Sequence, residues 1–297
     1  MTTLVNTGDM PLRRNREMAD VHYLTSRILF YLLVITAVSV IGFPLFWMLI
    51  CSFKPGGELY ATPPTFLPNV WTLQNYRDLF IQTNFLTYFR NSLIVAFGAT
   101  FLSLIVGGLG AYSLSRFQFF GIAAFSNATL VCYMLPEVLI VLPLYIYVVK
   151  LGLADTLIAL IIANTAFTLP LALWFMRSYF NAIPVSLEES AMIDGCTRLQ
   201  AMMRVTVPLA LPGIVSVGVF SFNHAWNEFL FALVFTSSES NKTLPLGLAT
   251  WIGQDNIYSW GMLLASAVLI TIPVILFYLL VQRKLVVGLA EGGTKGE

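Results

Sequence analysis

The chain has 297 residues, 58% of them hydrophobic and only 10% charged, with a net charge of +1. A soluble domain carries about 25% charged residues, so this composition excludes an ordinary soluble core, and the near-neutral balance gives no reason to expect a nucleic-acid partner. A helix that crosses lipid needs about 20 consecutive apolar residues, and that length can be tested along the chain.

Residues 1–27 form a polar N-terminal segment. The first predicted span is 28–53, flanked by Arg27 and Lys54. It is longer than the roughly 7–15 apolar residues of a signal peptide and is expected to stay in the membrane. The second is 92–114, ending at Arg116. Its Ala99, Ser103, Gly107 and Ala111 recur every four residues, a small-residue stripe that lets another helix approach closely. The third is 122–149, interrupted by Pro136 and Pro143, with Glu137 near its middle. The fourth, 157–176, ends at Arg177. The fifth, 209–235, runs into a Ser- and Asn-rich loop, and the sixth, 258–281, ends at Arg283 and Lys284. Pro44, Pro170 and Pro273 interrupt spans one, four and six, and the backbone groups they free must face protein or a wet cavity. The three cysteines, Cys51, Cys132 and Cys196, lie at different depths and read as small buried hydrophobes. Asn241-Lys242-Thr243 has the form of a glycosylation sequon.

Lys and Arg set the orientation. With six spans, the termini and the loops after spans two and four share one side. That side holds eleven Lys and Arg residues; the other holds five, Lys54, Arg77, Arg90, Lys150 and Lys242. The richer side is expected to be cytoplasmic. The resulting expectation is an all-α polytopic membrane protein. It has a cytoplasmic segment 1–27, a six-helix domain 28–285 that includes a cytoplasmic loop 178–207, and a cytoplasmic tail 286–297.

Polar groups at membrane depth are costly. Asn223, His224, Asn227 and Glu228 cover an arc of about 140° at the helical 100° per residue, with Trp226 beside it. Two readings stay open: hydrogen bonding between helices, or the wall of a solvated pathway for a polar substrate. Glu137 carries the same two readings. An intramembrane enzyme is disfavoured. His224 and Glu228 lack the second His of the HExxH zinc pattern, and no GxxxxGK[ST] loop exists to bind ATP. A single-chain ion-coupled carrier with Glu137 and Glu228 as its relay is the alternative transport class.

The 178–207 loop is patterned rather than featureless. Ser186 and Glu189 have the S-x-x-E form of a capping box, which predicts a helix to about Asp194, with Gly195 as its left-handed stop. Thr197 and Gln200 form a second box, and Pro208 is expected to open span five. Each helix is too short to be stable alone in water, so each must pack on this chain or on a partner.

Glu189-Ser190-Ala191, three residues, Gly195, nine residues and then VTVP at 205–208 resembles the EAA loop of ABC-importer permeases. The departures from E-A-A…G…I-x-L-P are mild: Ser190, Val205 and Val207. Further stretches resemble the maltose-permease-type subunits of carbohydrate importers: GAYSLSRF from Gly110, MLP…LPLY from Met134 to Tyr145, WNEF from Trp226, TLPLG from Thr243, and QRK from Gln282 with Gly288, Lys295 and Gly296. The resemblance implies a type I importer permease fold in a bacterial cytoplasmic membrane. It also implies a second homologous permease, two ATPase subunits and an extracytoplasmic sugar-binding protein as partners. The chain would bind no cofactor; ATP and magnesium would be used by the ATPase. Carried over residue by residue, Glu189 would be a charged contact to the ATPase, Ala191 with Ser190 the small docking surface and Gly195 the turn, supported by Leu187 and Asp194.

Overall fold

The computed structural model describes residues 10–118, 120–253 and 260–293. Among them every regular element is helical. The start of the N-terminal segment, Tyr258 at the expected start of span six, and Lys295 with Gly296 lie outside the described residues.

The first span belongs to α1 (Met10–Ser52), which packs on the last helix of the chain. Most of its side chains from residue 23 to 46 are exposed, as suits a helix surrounded by lipid or other chains. Two short helices follow, α2 (Gly56–Leu59) and α3 (Gln74–Gln82). Asn75 of α3 is buried and donates to the carbonyls of Ser52 (2.8 Å) and Lys54 (2.9 Å), satisfying groups that the end of α1 leaves orphaned.

The second span, α4 (Phe85–Arg116), begins well before residue 92. Asn91 and Ser92 cut the apolar run short in the sequence, yet both are satisfied inside the fold. Asn91 donates to the carbonyls of Ser240 and Lys242, and Ser92 Oγ accepts the N–H of Leu244 at 2.8 Å. The small-residue stripe faces α7 (Leu157–Ala182). Ala99, Ser103 and Ala111 are buried there, and Ser103 Oγ lies 2.8 Å from Thr168 Oγ1. A Cβ on Gly107 would come within 2.9 Å of Ala172 Cβ, so the spacing of α4 and α7 depends on that glycine.

The expected third span is broken. It comprises α5 (Ile122–Tyr133) and α6 (Glu137–Lys150), bent by 102°. Pro136 at the break has extended backbone (ψ 133°) and no N–H to continue the ladder.

α7 runs on past Met176 to Ala182, so the 178–207 loop is mostly helix. It contains α8 (Val185–Ile193), α9 (Arg198–Ala201) and a π-helical turn, Met202–Thr206. α10 (Val207–Leu209) continues that helix until it bends by 79° at Ala210 into α11 (Leu211–Asn227). The uninterrupted span expected over 209–235 is therefore corrected twice. It bends at Ala210, and it breaks again at Glu228, whose extended backbone (ψ 130°) separates α11 from α12 (Leu230–Phe235). A 3₁₀ turn, α13 (Leu244–Gly253) and α14 (Trp260–Gly293) follow among the described residues.

Among the described residues four helices are individually long and apolar enough to cross a membrane, and up to six spans result if each of two bent pairs is one span. The centre is the stack of α4, α7 and α11. Beyond it, Asp155 ties the α6–α7 turn to the segment before α13. Its carboxylate accepts the hydroxyl and N–H of Ser238 and the N–H of Ser237. Led by the Ser238 hydroxyl, these bonds hold its carboxyl down at about 2. Asn241, the sequon asparagine, donates its side-chain amide to the Asp155 carbonyl at 2.7 Å.

Candidate functional site

Two regions gather the residues singled out in the sequence. One is the 178–207 segment at one end of the bundle; the other is the polar stretch where α11 gives way to α12.

In the first, the expected Ser186–Glu189 capping box does not form. α8 begins at Val185, one residue before Ser186, and no side chain caps it. The Ser186 carbonyl instead accepts the Ser190 hydroxyl at 2.9 Å. The expected stop is present. Gly195 has φ +94°, its N–H donates to Met192, and the N–H of Cys196 donates to Ala191 at 3.0 Å. These two bonds make a Schellman ending, which favours glycine at the left-handed position. The second box also forms. Thr197 Oγ1 accepts the Gln200 N–H and Gln200 Oε1 accepts the Thr197 N–H. Pro208 does not open the next span. It sits inside the helix that continues from the π turn, and its missing N–H leaves the carbonyl one turn back without its usual donor, which suits a wider turn just ahead of it. Pro212 holds the first-turn position of α11 instead.

On α8, Leu187, Glu189, Ser190, Asp194 and Gly195 are exposed and Ala191 is half-buried. Ile193 is 87% exposed. The helix thus presents an apolar and acidic outer face. Its inner face centres on Glu188, which the sequence reading passed over. Glu188 is 3% exposed. Its carboxylate accepts from Arg116 Nε (2.8 Å), Thr206 Oγ1 (2.6 Å) and Tyr112 OH (2.7 Å). Arg116 also donates to the Ile183 carbonyl at 3.1 Å. Burial pushes the Glu188 carboxyl up, but the three donors and the Arg116 charge together outweigh it and hold the group below the usual carboxylate range. One residue along, the Arg198 guanidinium lies 4.8 Å above the Phe117 ring. A signal was available in the sequence. Glu188, Ala191 and Met192 have the i, i+3, i+4 spacing of one helix face, so adjacent Glu188 and Glu189 cannot point the same way.

In the second region the expected arc divides. Asn223 and Asn227 are exposed, and Asn227 Nδ2 donates to the Asn223 carbonyl (2.8 Å) and its side-chain oxygen (3.1 Å). His224 turns towards α6 and α7. Its Nε2 is 3.6 Å from Glu137 Oε1, and its ring stacks on Phe167 at 4.7 Å. Two residues of the expected pathway are placed differently. Trp226 is 1% exposed, packed between the edge of Phe89 and the face of Phe222, so its indole offers no open stacking surface. Glu228 is buried, and its carboxylate accepts the N–H groups of Phe231 and Ala232. It holds the first turn of α12, which the break in the helix would otherwise leave unsatisfied.

Comparison with known proteins matches this architecture. Residues 109–286 fit the family of the binding-protein-dependent transport system inner membrane component. The chain is 42% identical to the inner membrane ABC transporter permease protein YcjP of Escherichia coli (strain K12), over 91% of this chain and 97% of that protein. It is 37% identical to the trehalose/maltose transport system permease protein MalG of Thermococcus litoralis, over 91% and 98%. A crystal structure of a bacterial ABC transporter that imports the acidic polysaccharide alginate contains a chain of the same fold. The TM-score is 0.74 at 23% identity, covering 95% of this chain and 99% of that one. The family match and the two close relatives agree with the broken six-span bundle: the chain belongs to the binding-protein-dependent transport system inner membrane components and is a permease subunit of an ABC transporter in the inner membrane.

Proposed function

We propose that the chain forms one half of the membrane pathway of an ATP-driven sugar importer, with the α8 end cytoplasmic. The observation that carries this reading is the outer face of α8. It is a helix too short to be stable alone, fixed at both ends, that presents Leu187, Glu189, Ser190 and Ile193 to whatever lies beyond the membrane. That is the shape of a docking prong for an ATPase subunit. Glu189 does not cap its own helix, so its carboxylate is available to a partner. The charge bias of the loops supports the orientation, and the name of the Thermococcus litoralis relative supports a neutral disaccharide as the class of cargo.

The full assembly pairs this chain with a second homologous permease, two ATPase subunits and an extracytoplasmic sugar-binding protein. ATP closes the ATPase pair and draws the two α8 helices together. Packed helices then rock as rigid bodies. Each state must bind ATP, sugar or binding protein differently, or nothing moves. Asn223 and Asn227, with Glu137 and His224 alongside, supply hydroxyl partners for the cargo. Trp226 and Glu228 shape that wall from behind. The ion-coupled alternative loses support here, because the Glu228 carboxylate is engaged by the backbone N–H groups of Phe231 and Ala232.

The test is affinity purification of the chain from membranes, followed by crosslinking through Ser190→Cys. An ATPase subunit is expected to co-purify and to crosslink. If the chain purifies without any ATPase, the reading fails. Glu189→Gln is expected to weaken stimulation of ATP hydrolysis by the binding protein; full stimulation would show that the charge is not used.

A further inference from the structure

Docking of α8 on an ATPase leaves open how its displacement reaches the spans. The short connections offer little, since α8 is joined to α7 by Ile183 and Pro184 and to α9 by the Gly195 turn. The through-space contacts offer more. One carboxylate on the inner face of α8 is bonded to two side chains of α4, Tyr112 and Arg116, and to Thr206 at the entrance to α11. Arg116 reaches further, to the Ile183 carbonyl at the end of α7. The side chains of both Arg116 and Glu188 are only 4% exposed. A buried ion pair is poor evidence for stability, because apolar residues of the same volume often do as well. What charge-assisted hydrogen bonds add is direction, fixed donor by donor. Here two donors belong to α4, at the centre of the bundle, and the third to the π turn that leads through α10 into α11.

We infer that Glu188 is a positioning residue that clamps α8 to the ends of α4 and α7 and to the bend before α11, so that α8 and α4 move as one body. The Arg198–Phe117 contact adds a second grip on the same end of α4. The inference rests on α8 being the ATPase contact, and it separates two adjacent glutamates by task. Glu189 faces the partner; Glu188 passes the motion inward.

The test uses the complete transporter in lipid nanodiscs, with Cys51, Cys132 and Cys196 replaced by Ser and spin labels at the exposed positions Ser113 of α4 and Ser186 of α8, outside the docking face. The label-to-label distance is measured without nucleotide and after trapping with ATP and vanadate. With Glu188 present, the distribution is expected to be narrow and the same in both states. Glu188→Gln is expected to broaden it at least twofold and to let it shift on trapping, at equal trapped nucleotide. A role confined to folding would lower the yield of complex without changing this response. If Glu188→Gln does not assemble, Thr206→Val, which removes one donor and keeps the ion pair, is expected to broaden the distribution less but in the same way. A distance that shifts on trapping with Glu188 intact would overturn the inference. So would a distribution that stays narrow and fixed in the assembled Glu188 or Thr206 variant. Failure of α8 to meet an ATPase would appear instead as loss of co-purification, while the nucleotide-free distribution still reports on the clamp.

Discussion

Two carboxylates, Glu188 of α8 and Glu228 at the end of α11, are both buried, and neither is open to cargo. Glu188 is closed by side-chain donors from α4 and from the π turn. Glu228 is closed by two backbone N–H groups of α12. Asn227, next to Glu228, and Asn223, one turn before it, are hydrogen-bonded to each other and remain exposed. In a membrane protein, then, polarity at depth does not by itself mark the cargo pathway. Groups whose bonds are filled set the geometry of the helices, and groups left open can meet a polar substrate. The difference lies in how many bonds the fold has already made.

That division predicts graded effects. The largest belongs to the Glu188 cluster. Arg116→Met leaves a carboxylate buried without its cation and is expected to cost about 3–5 kcal/mol, read as a lower thermal unfolding temperature in detergent. Adding Glu188→Leu is expected to restore most of that stability, since an apolar pair of similar volume removes the stranded charge. If the double variant is as unstable as the single one, the loss is in packing rather than charge.

The next effect belongs to Glu228. Glu228→Ala removes the acceptor for the first turn of α12 and is expected to cost about 1–2 kcal/mol, as loss of a helix cap does. Transport per folded complex is expected to stay near that of the parent. A loss of transport without loss of stability would move Glu228 into the open class.

A smaller effect is pH-dependent. The Glu188 carboxyl titrates below its unfolded value of 4.5 in the folded chain. Its contribution to stability is therefore complete above about 4.5 and is lost as pH falls through its lower folded value. Unfolding followed from pH 6 to pH 3 is expected to show a smaller acid loss in Glu188→Gln than in the parent. Equal slopes would mean that Glu188 is not the group being titrated.

Much of this was legible in the sequence. The stripe that packs α4 on α7, the Gly195 stop and the Thr197–Gln200 box follow from periodicity and local backbone chemistry, and the structure has them; of the six apolar stretches, four lie in single long helices and the third and fifth are broken. The misses share a physical cause. Asn91 and Ser92 look like the edge of a span, but loop carbonyls and an N–H more than a hundred residues away satisfy them. The Ser186–Glu189 box matched its pattern and failed because the N-cap is Pro184, two residues earlier, which puts Ser186 inside the helix. Glu228 shared an arc with Asn223, His224 and Asn227 only while α11 was taken as continuous, and the break after Asn227 removes that premise; Trp226, beside that arc, is closed by Phe89 and Phe222, which are not adjacent to it in the chain. Glu188 was hidden because its partners, Tyr112, Arg116 and Thr206, are distant in the chain. Local signals survive in a sequence; which polar group a distant segment will satisfy does not.

The smallest expected change in stability carries the largest expected change in transport. Asn223→Ala with Asn227→Ala alters exposed side chains and is expected to shift stability by less than about 0.5 kcal/mol per site. The decisive measurement is uptake by proteoliposomes holding this double variant in the assembled transporter, using the sugar that its binding protein retains and normalising to the amount of complex. The account predicts at least a tenfold fall in uptake at parental thermal stability. Parental uptake in that variant would contradict the assignment of the open asparagines to the cargo pathway.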